Sequence, residues 1–277
     1  MSGTEVIHTA GKDKLIYLNG VSVCYDDLGT GEIPVIFVHG FPFNKSSWQP
    51  QLEFLSQTQR VIAYDIRGFG KSSAGDETPT ISLFASDLIR LMDALEIPKA
   101  IVCGLSMGGY ILLNAVSQSP ERFKAIILSD TQCIADTPDV KAKRYKTISQ
   151  INEEGLVNFT EGFLKNAFSE ETHLTKKELV ENIRTVMLSN SVKSVAETLS
   201  AIAERVETCS LLMRNIVPTL ILCGIDDKIT PLVQSEFLST TIQSSKLHSI
   251  EKAGHLSNLE QPEEFNKHIS DFISGLA

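Results

Sequence analysis

Long apolar runs are missing from this chain: no stretch approaches the roughly 18 consecutive apolar residues that a membrane span requires. A basic excess is missing too, since 25 Lys and Arg stand against 34 Asp and Glu, a net charge of −9. That balance argues against nucleic acid or an anionic membrane as the main partner, because both reward clustered cations. Cysteine is sparse, at five residues (24, 103, 133, 209 and 223), with no CxxC pair and an odd count. Cys24, Cys103 and Cys223 lie in apolar, strand-like runs and read as small core residues, so neither a disulfide framework nor a metal site is expected. The N-terminal MSGTEVIHTAGKDK carries an acid and polar residues where a signal peptide needs an apolar core, and a cytoplasmic location is the expectation. Internal repeats, low-complexity tracts and flexible linkers are absent.

What is present is an ordinary globular composition, 42% hydrophobic over 277 residues, enough for one large domain or two modest ones. Short β-rich runs recur at 14–18, 21–26, 35–39, 61–65, 100–104, 124–129, 219–223 and 247–251. From residue 35 onward several are continuously apolar, the pattern of parallel strands covered on both faces. Helical patterns follow at about 46–57, 80–96, 107–118, 232–241 and 262–275. The alternation predicts an α/β fold with eight strands in a mostly parallel sheet, opened by an antiparallel hairpin around Asn19-Gly20. It breaks once, between about 133 and 215, where amphipathic stretches such as SVKSVAETLSAIAERV (191–206) replace strands. Residues 1–132 and 216–277 are therefore expected to form the core, and 133–215 an inserted helical cap.

In an open α/β sheet the site lies beyond the carboxyl ends of the strands. Those ends carry HGFP, DIRGFGKS, LSMGG, DTQC, GIDDKITP and KAGHLSN. Gly104-Leu105-Ser106-Met107-Gly108 is G-x-S-x-G between a buried strand and a helix, the context that displays a strained serine as a nucleophile. The alternative is a tight turn and nothing more. Serine needs a base, and of six histidines only His255 combines a strand-end loop with the order Ser, acid, His. His8 sits in a polar tail, His173 in the cap, His248 and His268 within elements, and His39 in a turn. Asp227, just past Gly224, is the first candidate for the orienting acid, with Asp226 and Asp130 as alternatives. The Met107 N–H at the helix start and the Phe41 N–H in HGFP are candidate oxyanion donors. Phe43, Trp48 and Leu105 are candidate substrate contacts, although core packing is an equal reading of Trp48. GFGKS (68–72) is not a phosphate-binding loop, because Asp65 stands where that motif needs glycine.

VHGFP, DIRGFGKS, GLSMGG, GIDDKITP and AGHLSNLEQPEEF together resemble the α/β-hydrolase superfamily in order and spacing, over about 14–132 and 216–277. Within it the chain is similar to small bacterial carboxylesterases and 3-oxoadipate enol-lactonase-like hydrolases. The resemblance implies Ser106 as nucleophile, Asp227 as acid, His255 as base, and Phe41 and Met107 as oxyanion donors. It also implies a small ester or lactone as substrate, an acyl-serine intermediate, and neither metal nor cofactor. Carbon–carbon bond hydrolysis, haloperoxidase or perhydrolase chemistry, and a non-catalytic small-ligand receptor stay open; Leu105, where carbon–carbon bond hydrolases commonly carry Asn, weakens the first. Lys141, Lys143 and Arg144 form a cationic run at the start of the cap, read either as a solvated face or as an attractor for an anionic substrate.

Overall fold

The computed structural model describes residues 10–212 and 217–276. Its eight strands are β1 (Gly11–Leu18), β2 (Val21–Leu28), β3 (Val35–Val38), β4 (Val61–Tyr64), β5 (Ala100–Leu105), β6 (Phe123–Ser129), β7 (Thr219–Gly224) and β8 (Ser245–Ile250). They form one sheet in the order β1-β2-β4-β3-β5-β6-β7-β8. The first two pairings are antiparallel and the rest parallel. The β1–β2 hairpin turns on Asn19 and Gly20, both at positive φ (50° and 77°), which matches the right-handed strand twist. β1 alternates because one face is wet, leaving Leu15 and Tyr17 exposed, whereas every residue of β3, β4 and β5 is buried.

Period-two alternation divides the apolar residues of the central strands between two cores. Ile36, Val38 and Val102 face the layer holding α2 (Ile81–Ala94) and α3 (Met107–Gln118). Val35, Phe37 and Cys103 face the layer holding α1 (Gln49–Leu55), α11 (Ser257–Glu260) and α12 (Pro262–Ser274). Between β6 and β7 lies a helical insertion: α4 (Pro138–Glu154), α5 (Val157–Ala167), α6 (Glu170–Thr175), α7 (Lys177–Leu188), α8 (Val192–Ala203) and α9 (Cys209–Leu212). α10 (Leu232–Thr241) follows β7. Thr137, Ser169 and Ser191 cap α4, α6 and α8 with their hydroxyls, the signal that starts helices in a polar sequence. Among the described residues no helix is long and apolar enough to cross a membrane.

One expectation is corrected. Cys133 and Cys209 form a disulfide across a sequence separation of 76, closing the neck of the insertion. Sequence spacing does not reveal this pair, because the chain must leave β6, build five helices and return before the two thiols meet. Cys24, Cys103 and Cys223 are free and buried, as their apolar surroundings suggested. The GFGKS segment is a turn held by Asp65, whose carboxylate accepts the Lys45 and Lys71 N–H groups. Arg67 beside it makes a two-bond pair with Asp87. His8 and the expected boundary at 215/216 lie outside the described residues.

Candidate active site

β5 ends at Leu105 and α3 begins at Met107, so Ser106 alone makes the turn. Its φ of 51° and ψ of −112° are sterically costly for an L-residue, and such strain persists only when neighbours over-determine it. They do: the Ser106 N–H donates to the Ser129 carbonyl at 2.9 Å, and its own carbonyl accepts the Thr131 hydroxyl at 2.7 Å. The glycines answer to close approach. A Cβ on Gly104 would stand 2.4 Å from the Gly108 oxygen, and one on Gly108 would stand 2.2 Å from the Val38 oxygen. The loop after β3 crosses the serine, since a Cβ on Gly40 would lie 3.3 Å from that of Ser106. This sets the Phe41 backbone beside the start of α3, where the Met107 N–H has no acceptor one turn back. His39 pins that loop by donating from Nδ1 to the Gly40 carbonyl and accepting the Ile66 N–H at Nε2, both at 2.9 Å. Burial lowers its pKa to about 4, so it is a neutral structural ring.

His255 is fully buried, and its Nδ1 lies 2.8 Å from Asp227 Oδ2. Asp227 is itself oriented by three donors: the Ile229 and Thr230 N–H groups on Oδ1 and the Thr230 hydroxyl on Oδ2. Burial opposes charge on both groups, yet the pairing prevails, holding Asp227 below the usual carboxylate range and raising His255. The other ring nitrogen, Nε2, is buried and has no hydrogen-bond partner among the described residues. The His255 loop is fastened to the insertion. Its N–H donates to the Ala167 carbonyl at 2.8 Å, and Glu260, fully buried, accepts the N–H groups of Gly254 and Ser169. Above the site, Phe159 and Phe163 of α5 lie 6.0 Å from Phe41 and 5.8 Å from Phe43.

A protein-family model described as the alpha/beta hydrolase fold matches residues 33–262. The chain belongs to that family. It is 31% identical to 3-oxoadipate enol-lactonase 2 of Acinetobacter baylyi over 257 residues, covering 89% of this chain and 91% of the relative. Among solved structures it is similar to a thermophilic esterase from Thermogutta terrifontis, malate bound, with a TM-score of 0.90 and 33% identity, covering 97% of this chain and 99% of that one. The enol-lactonase of Burkholderia xenovorans superposes with a TM-score of 0.88 at 26% identity, covering 94% and 100%.

In this alpha/beta hydrolase a second buried carboxylate, Asp130, stands beside the pair, its oxygen within 4.8 Å of one on Asp227 and of the Cys223 sulfur. It does not bond to His255. It accepts the Gly224 N–H and the hydroxyls of Ser129 and Ser257, which ties β6, the acid turn and the base loop together. Its oxygens are thus already engaged by protein donors, which by themselves favour the charged carboxylate. Burial and the Asp227 charge, offset in part by His255, raise its pKa to about 7. The nearby Cys103 and Cys223 thiols are pushed up by burial and stay protonated. A carboxyl raised in the fold stabilises it fully below about pH 4, and that stability is lost as pH climbs through about 7. The melting temperature of Asp130→Asn minus that of the native protein is therefore expected to rise from pH 4 to pH 8. A flat difference over that range would show that Asp130 is ionised throughout.

Ser106, Asp227 and His255 follow the carboxyl ends of β5, β7 and β8, and of these the Asp227–His255 pair is in direct contact. Among the described residues Asp227, not Asp226, makes the hydrogen bond to His255. Trp48 packs in the core, 4.8 Å from Phe37 and 6.1 Å from Phe265, and Leu105 and Phe43 are likewise fully buried. Lys141 pairs with Glu204 and Arg144 with Asp136, while Lys143 is exposed. Sequence reasoning missed Thr230 and Glu260. Thr230 has a local signal, a hydroxyl three residues after Asp227; Glu260 is indistinguishable in NLEQPEEF from any solvated glutamate.

Proposed function

We propose that the protein hydrolyses a small carboxylic ester or lactone through an acyl-serine intermediate. The observation that carries this reading is His255, held by Asp227 at Nδ1 and unpartnered at Nε2, in the same buried edge as the strained Ser106. Ser106 Oγ attacks the carbonyl carbon as its proton passes to His255 Nε2, and the oxyanion forms toward the Met107 and Phe41 N–H groups. The imidazolium formed beside Asp227 then gives its proton to the departing alkoxide, leaving the acyl group on Ser106. Water repeats the sequence, delivering its proton to His255, and the acid leaves as Ser106 regains a hydrogen. For a lactone the alcohol and acid remain one molecule.

Phe41, Phe159 and Phe163, with Phe43 packed behind them in the core, form an apolar surround, which favours a compact acyl or alcohol group, with the helical insertion acting as a cap. The relatedness to an enol-lactonase and an esterase supports the same substrate classes. The test is a fluorophosphonate probe followed by a panel of short p-nitrophenyl esters and simple lactones. Stoichiometric labelling and turnover of at least one substrate are expected. Failure to label together with silence across the panel would favour a small-ligand receptor.

A further inference from the structure

Away from Ser106, the insertion and the core enclose a cavity of about 280 Å³ between α8, the start of α2, and Tyr110 and Asn114 of α3. Its volume is at the lower edge of the roughly 300–1,000 Å³ common for small-ligand sites. None of Ser106, Asp227, His255 or Phe41 lines it. Arg205 does. Its side chain is 3% exposed, and Nη1 bonds to Asp136 at 2.8 Å and to the Ile202 carbonyl at 2.8 Å. The guanidinium carbon lies 4.5 Å from the centre of the Tyr110 ring. Nε and Nη2, however, are buried with no hydrogen-bond partner among the described residues. Buried N–H groups of a cation are costly to leave unpaired, so each such case needs a reason.

Nε and Nη2 form one edge of the guanidinium fork, the edge that meets a carboxylate with two parallel bonds. The same edge of Arg67 grips Asp87, and that of Arg60 grips Asp27. Arg205 therefore carries the binding edge used twice elsewhere in this chain without an acceptor among the described residues, and because that edge is covered, a carboxylate in the cavity reaches it only by displacing the packing over it. The surrounding charge agrees. Asp136 is shared with Arg144, and Glu204 at the rim is paired with Lys141, so both carboxylates lining or adjoining Arg205 already hold a cation other than Arg205. The N-terminus of α2, a helix of 14 residues with no acid in its first turn, lines the same cavity through Thr80, Ile81 and Ser82. Thr80 caps Leu83, leaving the Ile81 and Ser82 N–H groups without acceptors one turn back, at the positive end of the helix dipole. Ile134 and Ala201 supply apolar wall.

We propose that this cavity is a second binding site, taking a small carboxylate with a short apolar tail whose carboxylate pairs with Arg205. It is separate from the catalytic edge and does not depend on the ester or lactone assignment. The test is calorimetric titration of the intact protein with hexanoate and benzoate, using hexanamide as the uncharged control. Saturable binding of one acid per chain with Kd on the order of 1 mM or tighter is expected, weakening as salt rises, with none for the amide. Blocking Ser106 with fluorophosphonate is expected to leave it intact. Arg205→Met is expected to weaken binding at least about tenfold. Arg205→Lys, which keeps the charge and loses the fork, gives the same answer if the methionine variant does not fold. No saturable binding, binding indifferent to both variants, or binding lost on blocking Ser106 would each overturn the second site.

Discussion

Ser106→Ala is expected to abolish ester and lactone turnover while leaving the melting temperature within a degree or two of the native value. The scale is about 10⁶ in kcat, that of losing the nucleophile from a serine hydrolase triad. Alanine keeps the Cβ already accommodated against Gly40, and the backbone bonds to Ser129 and Thr131 do not involve the hydroxyl, so the turn itself has no reason to relax. Nothing near the elbow substitutes for the lost oxygen: the Thr131 hydroxyl is committed to the Ser106 carbonyl. Circular dichroism, a melting curve and kcat/KM on the best panel substrate decide it. Turnover near the native rate in a folded Ser106→Ala protein would remove Ser106 from the chemistry.

Asp227→Asn is expected to lower kcat by about 10⁴, whereas Asp130→Asn stays within about tenfold of native. The hydrogen bonds explain the asymmetry. The Ile229 and Thr230 N–H groups both need an acceptor at Oδ1, so an asparagine must place its oxygen there and its NH2 toward His255. That amide would donate to Nδ1, leaving the ring proton on Nε2, the position from which the base has to accept. At Asp130 an asparagine still offers an oxygen to the Gly224 N–H, and no bond to the imidazole is lost. Steady-state kinetics of both variants separate the cases. A crippled Asp130→Asn beside an active Asp227→Asn would move the orienting acid to the end of β6.

Much of the fold was legible because its helices and strands bury their faces in regular ways. The apolar run before Ser106 is fully buried as β5, and the helical patterns at 107–118 and 232–241 match α3 and α10 residue for residue. The strand-end rule pointed to Asp227 and His255, which the fold puts in contact, and to Ser106 at the end of β5. What could not be read depends on distance in sequence. Cys133 meets Cys209, and Glu260 meets Ser169, only after the insertion has folded back. The cationic run at 141–144 drew attention by its density, yet Lys141 and Arg144 already hold acid partners. Arg205, a single basic residue at the end of an amphipathic stretch, had nothing to mark it. Its unpaired donors belong to a guanidinium laid over the Tyr110 ring.

The bonds between residues 167–169 and the His255 loop bear on how molecules enter and leave. The Ala167 carbonyl holds the His255 N–H, and a Cβ on Gly254 would stand 2.7 Å from that carbonyl oxygen, so the two backbones touch. Swinging this flank outward would drag the base away from Asp227. The opposite flank is tethered at its root by the Cys133–Cys209 bridge. That leaves the corner where α4 meets α5, joined through Gly155 at a φ of 79°, with no atom within 4 Å of where its Cβ would be. Phe159 and Phe163 share α5 with Ala167, so lifting the two rings from Phe41 and Phe43 at that corner also draws on the carbonyl that holds the His255 N–H. Passage over the rings and the seat of the base are thereby linked through one helix.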